Sequence, residues 1–168
     1  MTAERITIGW REWLHLPDLE VRWIKAKVDT GARTSALHAE QIEYFTRGGR
    51  KMVRFAVHPN QDDKRRKTIA ECRLLEMRAV RSSNGTRELR PVIETSIDVG
   101  DEVWPVELTL THRDVMGFRM LLGRQAIRGY AVVDPGRSHV TRKKKKKKKA
   151  AGTKKAPAKK RTTKSAGG

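Results

Sequence analysis

Residues 25–39 read KAKVDTGARTSALHA, and an alternating apolar approach through Ile24, Ala26 and Val28 leads into the centre of that stretch. Alternation with period two marks a strand with one buried face. The strand runs into Asp29-Thr30-Gly31, so it presents one carboxylate on a tight turn. The small residues that follow let another stretch of backbone come close. A carboxylate held in this way is either a turn-capping aspartate or half of a catalytic pair, and the rest of the chain has to decide between them.

Working outward, the sequence predicts short strands separated by turns at intervals of about ten residues. Residues 5–14 form a strand stopped by Leu16-Pro17-Asp18, and residues 21–28 a second one. Residues 33–39 are short and mixed; residues 41–46 and 52–57 pair across Arg47-Gly48-Gly49-Arg50. The run His58 to Lys67, HPNQDDKRRK, reads as a solvated loop, and residues 68–80 as one strand. Asn84-Gly85 predicts a type I′ hairpin turn. Residues 91–99 and 103–111 are strands joined at Gly100-Asp101, and residues 118–124 are a buried strand that stops at Gly123. Residues 125–128 start a short helix and residues 130–133 end the pattern. This is an all-β barrel or sandwich. The four tryptophans and the many Val, Ile and Leu residues are the expected core.

The net charge of +19 is unevenly spread over the 168 residues. From Arg142 onward there are 14 Lys/Arg and no Asp/Glu, which leaves 24 basic against 19 acidic side chains in residues 1–141. The division expected is a folded domain over residues 1–137 and a disordered Lys-rich tail over 138–168, because the tail lacks apolar bulk to offset chain ordering. Such a tail binds phosphate polyanions by counterion release, with little sequence preference. A single cysteine, Cys72, excludes an internal disulfide framework and suits a reducing compartment. No secretory h-region or membrane-spanning apolar run is visible, so a cytoplasmic location is expected.

Three blocks occur together: VDTGARTSALHA (28–39), RPVIE (90–94) and MLLGRQAI (120–127). With them the chain, over about residues 5–134, resembles the retropepsin-like aspartic proteases. It is most similar to a bacterial family often labelled "ATP-dependent zinc protease" and linked with ATP-grasp glutamate ligases of the ribosomal-protein-modifying type. The resemblance implies a closed six- to eight-stranded barrel of the retropepsin (acid protease) type, with one short helix after the Leu-Leu-Gly block. It also implies an aspartic-type peptidase in which Asp29 is catalytic, Thr30 braces the turn across a two-fold axis and Gly31 admits substrate backbone. Leu121, Leu122 and Gly123 would pack behind that turn. Ala32, Arg33, Arg124 and a flap carrying Ser83, Asn84 and Gly85 would contact substrate. Because the chain has one Asp-Thr-Gly, the second carboxylate must come from another copy, which makes a homodimer a condition of activity.

One position departs from the pattern. Retroviral enzymes often carry, two residues after the glycine, an acid that pairs with the later arginine; here that position is Arg33, so the ion pair with Arg124 cannot form. Either another carboxylate serves Arg124, or both arginines face an anionic ligand such as an acidic peptide. The label's zinc and ATP find no support in the residues. The five histidines are scattered without a His-Glu-x-x-His motif, and no phosphate-binding Gly-x-x-x-x-Gly-Lys-Ser/Thr loop exists. No metal and no cofactor are therefore expected. The competing readings are a catalytically inactive peptide-binding scaffold tethered to nucleic acid by its tail, and a zinc-dependent peptidase.

Overall fold

The structure is a computed structural model and describes residues 4–60, 63, 65–82, 84–112 and 117–141. Ser83 and the Lys-rich segment from Arg142 lie outside the described residues. In order, the strands are β1 (Ile6–Gly9), β2 (Arg11–Leu16), β3 (Val21–Asp29), β4 (Ser35–His38), β5 (Glu40–Arg47) and β6 (Arg50–Val57). They continue with β7 (Thr68–Arg73), β8 (Glu76–Arg81), β9 (Arg87–Val99), β10 (Glu102–Thr111), β11 (Met120–Gly123) and β12 (Ala131–Asp134). A one-turn 3-10 helix lies at Pro17–Leu19, and the single short helix α1 (Arg124–Ile127) follows the Leu-Leu-Gly block as expected.

Six strands close on themselves in the order β10-β4-β11-β3-β2-β9, with β9 pairing back to β10. Closure leaves these six strands without a free edge, and the ladder is mixed: β3–β11 and β4–β10 are parallel, the other pairs antiparallel. Strand β8 extends the sheet beyond β9; β5-β6-β7 form a separate three-stranded sheet, and β1 pairs with β12 in parallel.

Alternation does what the sequence demands. Val21, Ile24, Ala26 and Val28 of β3 face inward, as do Leu14 and Leu16 of β2, and they meet Leu37, Ile93, Ile97, Leu108, Leu110 and Leu122 in one core. Each Val, Ile or Leu among them contributes about 1.5–3 kcal/mol by leaving water. Of the tryptophans only Trp104 is part of it, with its indole N–H donating to the Ala126 carbonyl at 2.8 Å. Trp10 and Trp13 are half-buried and Trp23 is exposed, because their positions in strands β2 and β3 or beside them fall on the outward face.

Three local readings need correction. The single strand expected over residues 68–80 is two, β7 and β8, broken at Leu74-Leu75 and assigned to different sheets. Leu74 N–H bonds Lys51 O while Leu75 N–H bonds Val92 O, so the backbone switches partners between adjacent residues. The turn after β8 is wider than a two-residue hairpin: Ser82 N–H donates to Thr86 O at 2.8 Å, and Gly85 takes a φ of +84°. The Ser82–Thr86 pairing thus closes a wider turn, with a left-handed glycine just before Thr86. The two-residue type I′ geometry belongs instead to Gly48-Gly49, with φ of +57° and +74°. Finally, His58, expected in solvent, is buried.

Candidate active site

Asp29 ends β3, directly opposite Gly123 of the parallel neighbour β11. Its carboxylate is held by the turn it starts. Gly31 N–H donates to Asp29 Oδ1 at 3.0 Å and Ala32 N–H to the same oxygen at 3.2 Å, while Oδ2 accepts nothing from the described residues. One oxygen is thus fixed by two dipoles and the other is left available for a reaction partner. Asp29 is half-buried, and Thr30 and Gly31 are exposed, so the turn faces outward from the barrel.

The second block secures this turn from behind. A Cβ on Gly123 would lie 2.3 Å from Thr34 O and 3.1 Å from Ala32 O, so only glycine allows the two segments to touch. The backbone of the block then takes up the turn's carbonyls in sequence: Arg124 N–H donates to Ala32 O at 2.7 Å and Gln125 N–H to Arg33 O at 3.1 Å. Leu122 is fully buried beneath and Leu121 half-buried. Ser35 completes the join, although nothing in the sequence singled it out: its buried hydroxyl accepts from Gly123 N–H at 2.9 Å and its carbonyl accepts from Thr109 Oγ1 at 3.2 Å. A buried small hydroxyl inside TGARTS was the available signal.

Arg124 lies against the turn and shares a cavity with Arg33. Among the described residues no carboxylate pairs with Arg124; its guanidinium Nη1 donates to Thr30 O at 3.0 Å and lies 3.5 Å from Gly31 O. Arg33 lines the cavity of about 450 Å³ beside Arg124 and also an open cleft of about 1040 Å³ that runs from the turn past β10 to β8. That cleft is lined by Arg33, Arg78, Arg81 and Arg90, with Glu107 across from them. Arg78 is matched by Glu76 at 2.6 Å and Glu107 at 3.0 Å, and Arg90 by Glu88 at 3.1 Å. Arg33 and Arg81 have no carboxylate partner among the described residues. Asn84 and Gly85 sit at the tip of the β8–β9 hairpin beyond this cleft, with Asn84 Oδ1 accepting from Ser82 Oγ and, at 3.4 Å, from Thr86 N–H; neither lines the cleft wall.

The histidines are less scattered than the sequence implied. Glu40 bridges His38 at 3.3 Å and His58 at 3.0 Å, and the His112 ring stacks tilted on His38 with centroids 5.6 Å apart. Hydrogen bonding from His38, with the charge of His58 adding to it against some burial, holds the Glu40 carboxyl below its usual range. Among the described residues no set of three His, Cys, Asp or Glu side chains is arranged to hold a metal ion. Cys72 is half-buried with its thiol pushed up to about 11 by desolvation, which makes it a poor nucleophile. No helix among the described residues is long and apolar enough to cross a membrane.

The chain is similar to known proteins. The chain is 48% identical over 137 residues to a probable alpha-L-glutamate ligase of Parasynechococcus marenigrum, covering 82% of this chain and 29% of that protein. A protein of the same name from Shewanella pealeana is 46% identical over 138 residues, covering 82% and 30%. The chain thus spans less than a third of the length of these curated relatives. A crystal structure of a Legionella pneumophila protein of unknown function superposes with a TM-score of 0.68 at 29% identity, covering 82% of this chain and 99% of that one. The family model of the retropepsin-like aspartic endopeptidase RimB matches residues 7–144. With its Asp-Thr-Gly turn seated on the Leu-Leu-Gly-Arg block of a closed six-stranded barrel, the chain belongs to that RimB-like family.

Proposed function

We propose that this chain is one half of an aspartic endopeptidase, completed by a second copy whose Asp29 faces the first across a two-fold axis. The observation that carries the reading is the carboxylate itself: Oδ1 is fixed by the Gly31 and Ala32 N–H groups and Oδ2 is unengaged among the described residues. Two such carboxylates brought together cannot both ionise, so the pair shares one proton. The ionised member takes a proton from a water whose oxygen attacks the scissile carbonyl carbon. The protonated member gives its proton to the carbonyl oxygen. Collapse of the resulting gem-diol breaks the C–N bond, and the amine leaves with a proton returned from the pair.

The favoured substrate in this reading is an acidic peptide. Arg33 and Arg81 bring uncompensated charge to the cleft beside the turn, and the relatives that share the domain are named for joining glutamate. The β8–β9 hairpin, with Asn84 and Gly85 at its tip, would act as the flap that closes over bound peptide. The Lys-rich tail adds an electrostatic tether to a phosphate polyanion, and the enzyme would work in a reducing compartment such as the cytoplasm. Deleting residues 142–168 should abolish salt-sensitive binding to single-stranded RNA while leaving peptide hydrolysis intact; binding that survives the deletion contradicts the tether.

The test of the catalytic reading is hydrolysis of glutamate-rich and neutral peptides by the wild-type protein. Asp29→Asn should remove activity on both, and Arg33→Ala should weaken cleavage of the acidic peptide roughly ten-fold more than that of the neutral one. Activity that survives Asp29→Asn but is lost to a chelator would overturn the reading in favour of metal-dependent hydrolysis.

A further inference from the structure

Arg124 has no obvious reason to sit where it does. Its usual acidic partner is replaced by Arg33, its side chain is exposed, and it nevertheless lies on the carbonyls of the turn rather than extending into solvent. The geometry of the peptide unit explains what this accomplishes. The Thr30 carbonyl and the Gly31 N–H belong to one planar amide and point in opposite directions; the Gly31 carbonyl and the Ala32 N–H belong to the next. On one side of these two amides Arg124 Nη1 donates to Thr30 O at 3.0 Å and approaches Gly31 O at 3.5 Å. On the other side the same two amides donate to Asp29 Oδ1 at 3.0 and 3.2 Å. Two peptide planes are therefore gripped between a guanidinium cation and the carboxylate.

We infer that Arg124 is a positioning residue for Asp29, acting through the Thr30-Gly31 and Gly31-Ala32 amides and not through contact with substrate. Two effects follow from a cation at the carbonyl end. It fixes the rotation of each plane about the chain, so the N–H groups stay aimed at Oδ1 and Oδ2 is kept on the reacting side. It also polarises both amides, because a hydrogen bond at the carbonyl strengthens the one made by the N–H of the same unit. The arrangement accounts for the tolerance of a cation at position 33. Without an acid there, Arg124 donates to the backbone of the turn, and Arg33 lines both the cleft and the smaller cavity beside Arg124.

The backbone part of the join does not depend on this side chain, since Arg124 N–H to Ala32 O and the Gly123 contact with Thr34 remain when the guanidinium is removed. Arg124→Ala is therefore expected to fold. The inference rests on the peptidase reading, so the experiment has two readouts. In steady-state peptide hydrolysis, Arg124→Ala should lower kcat roughly ten-fold or more, the scale of a misplaced catalytic group, with KM within about two-fold. Arg124→Lys, or added guanidinium on Arg124→Ala, should restore part of it. In NMR spectra, the Gly31 and Ala32 amide protons of Arg124→Ala should move upfield and exchange faster, in the same direction as in Asp29→Asn. A raised KM at unchanged kcat would overturn the inference and make Arg124 a substrate contact, and so would unmoved Gly31 and Ala32 amides. A wild-type protein that cleaves no peptide would overturn the peptidase reading separately, leaving the clamp to be judged on the two amides alone.

Discussion

Gly123 shows how much of the site hangs on a missing side chain. The Thr34 carbonyl oxygen occupies the place of its Cβ, at 2.3 Å, and this contact is with backbone that has no rotamer to move. Gly123→Ala is expected to lower stability by about 3 kcal/mol or more, at the top of the range for overpacking, and to displace the Asp29 turn with it. Denaturant titration checks the first effect, and a wild-type midpoint would contradict it. At this scale the sequence was partly legible. Asp29 and Gly123 could be named because their places constrain residue type, one a carboxylate that takes up the turn's N–H groups and the other a close approach of backbone. Arg124 could be named but not placed, since its partners are carbonyls, and carbonyls carry no residue identity. Ser35 and the Glu40 bridge between His38 and His58 were missed, because pairings across strands of different registers leave no local pattern.

Among the elements, β2 carries a feature that alternation alone would reject. Glu12 points into the interior with Leu14 and Leu16 and is fully buried. Its carboxylate accepts from Gly9 N–H at 2.7 Å, Val140 N–H at 2.9 Å, Thr141 N–H at 3.3 Å and Thr141 Oγ1 at 2.9 Å. His139 N–H to Arg11 O and the Trp13–His139 stack run alongside, so contacts of the folded part continue past Arg137 to Thr141. Glu12 thereby fixes the point from which the Lys-rich segment departs. Glu12→Ala leaves several buried N–H groups unpaired and should cost about 2–4 kcal/mol, with exchange of the Val140 and Thr141 amides accelerated well beyond that of the barrel strands. Val140 and Thr141 amides as slow as in the wild type would contradict the clamp. Composition placed the boundary of the folded part at the change toward lysine. It could not see that a glutamate 128 residues earlier reaches the segment just before Arg142. The splitting of residues 68–80 between two sheets was hidden for a related reason, because β7 and β8 have the same local pattern and differ only in their partners.

For the whole molecule, the barrel follows from strand-length alternation and turn spacing, and its closure could be read only through the resemblance carried by the three blocks. Closure brings β3 and β11 into parallel register, and that register sets Asp29 against Gly123 across a sequence distance that no local motif spans. The same architecture supplies one carboxylate at the turn, so in the proposed mechanism peptide hydrolysis at this site would need the second copy. Mixing wild-type protein with Asp29→Asn at constant total concentration, under conditions where subunits exchange, tests this directly through the rate of peptide hydrolysis. If each active unit needs an Asp29 from both chains, activity follows the square of the wild-type fraction, so an equal mixture retains about one quarter of the wild-type rate. A linear dependence, with about half the rate at equal mixing, would mean that each chain works alone and would contradict the shared site.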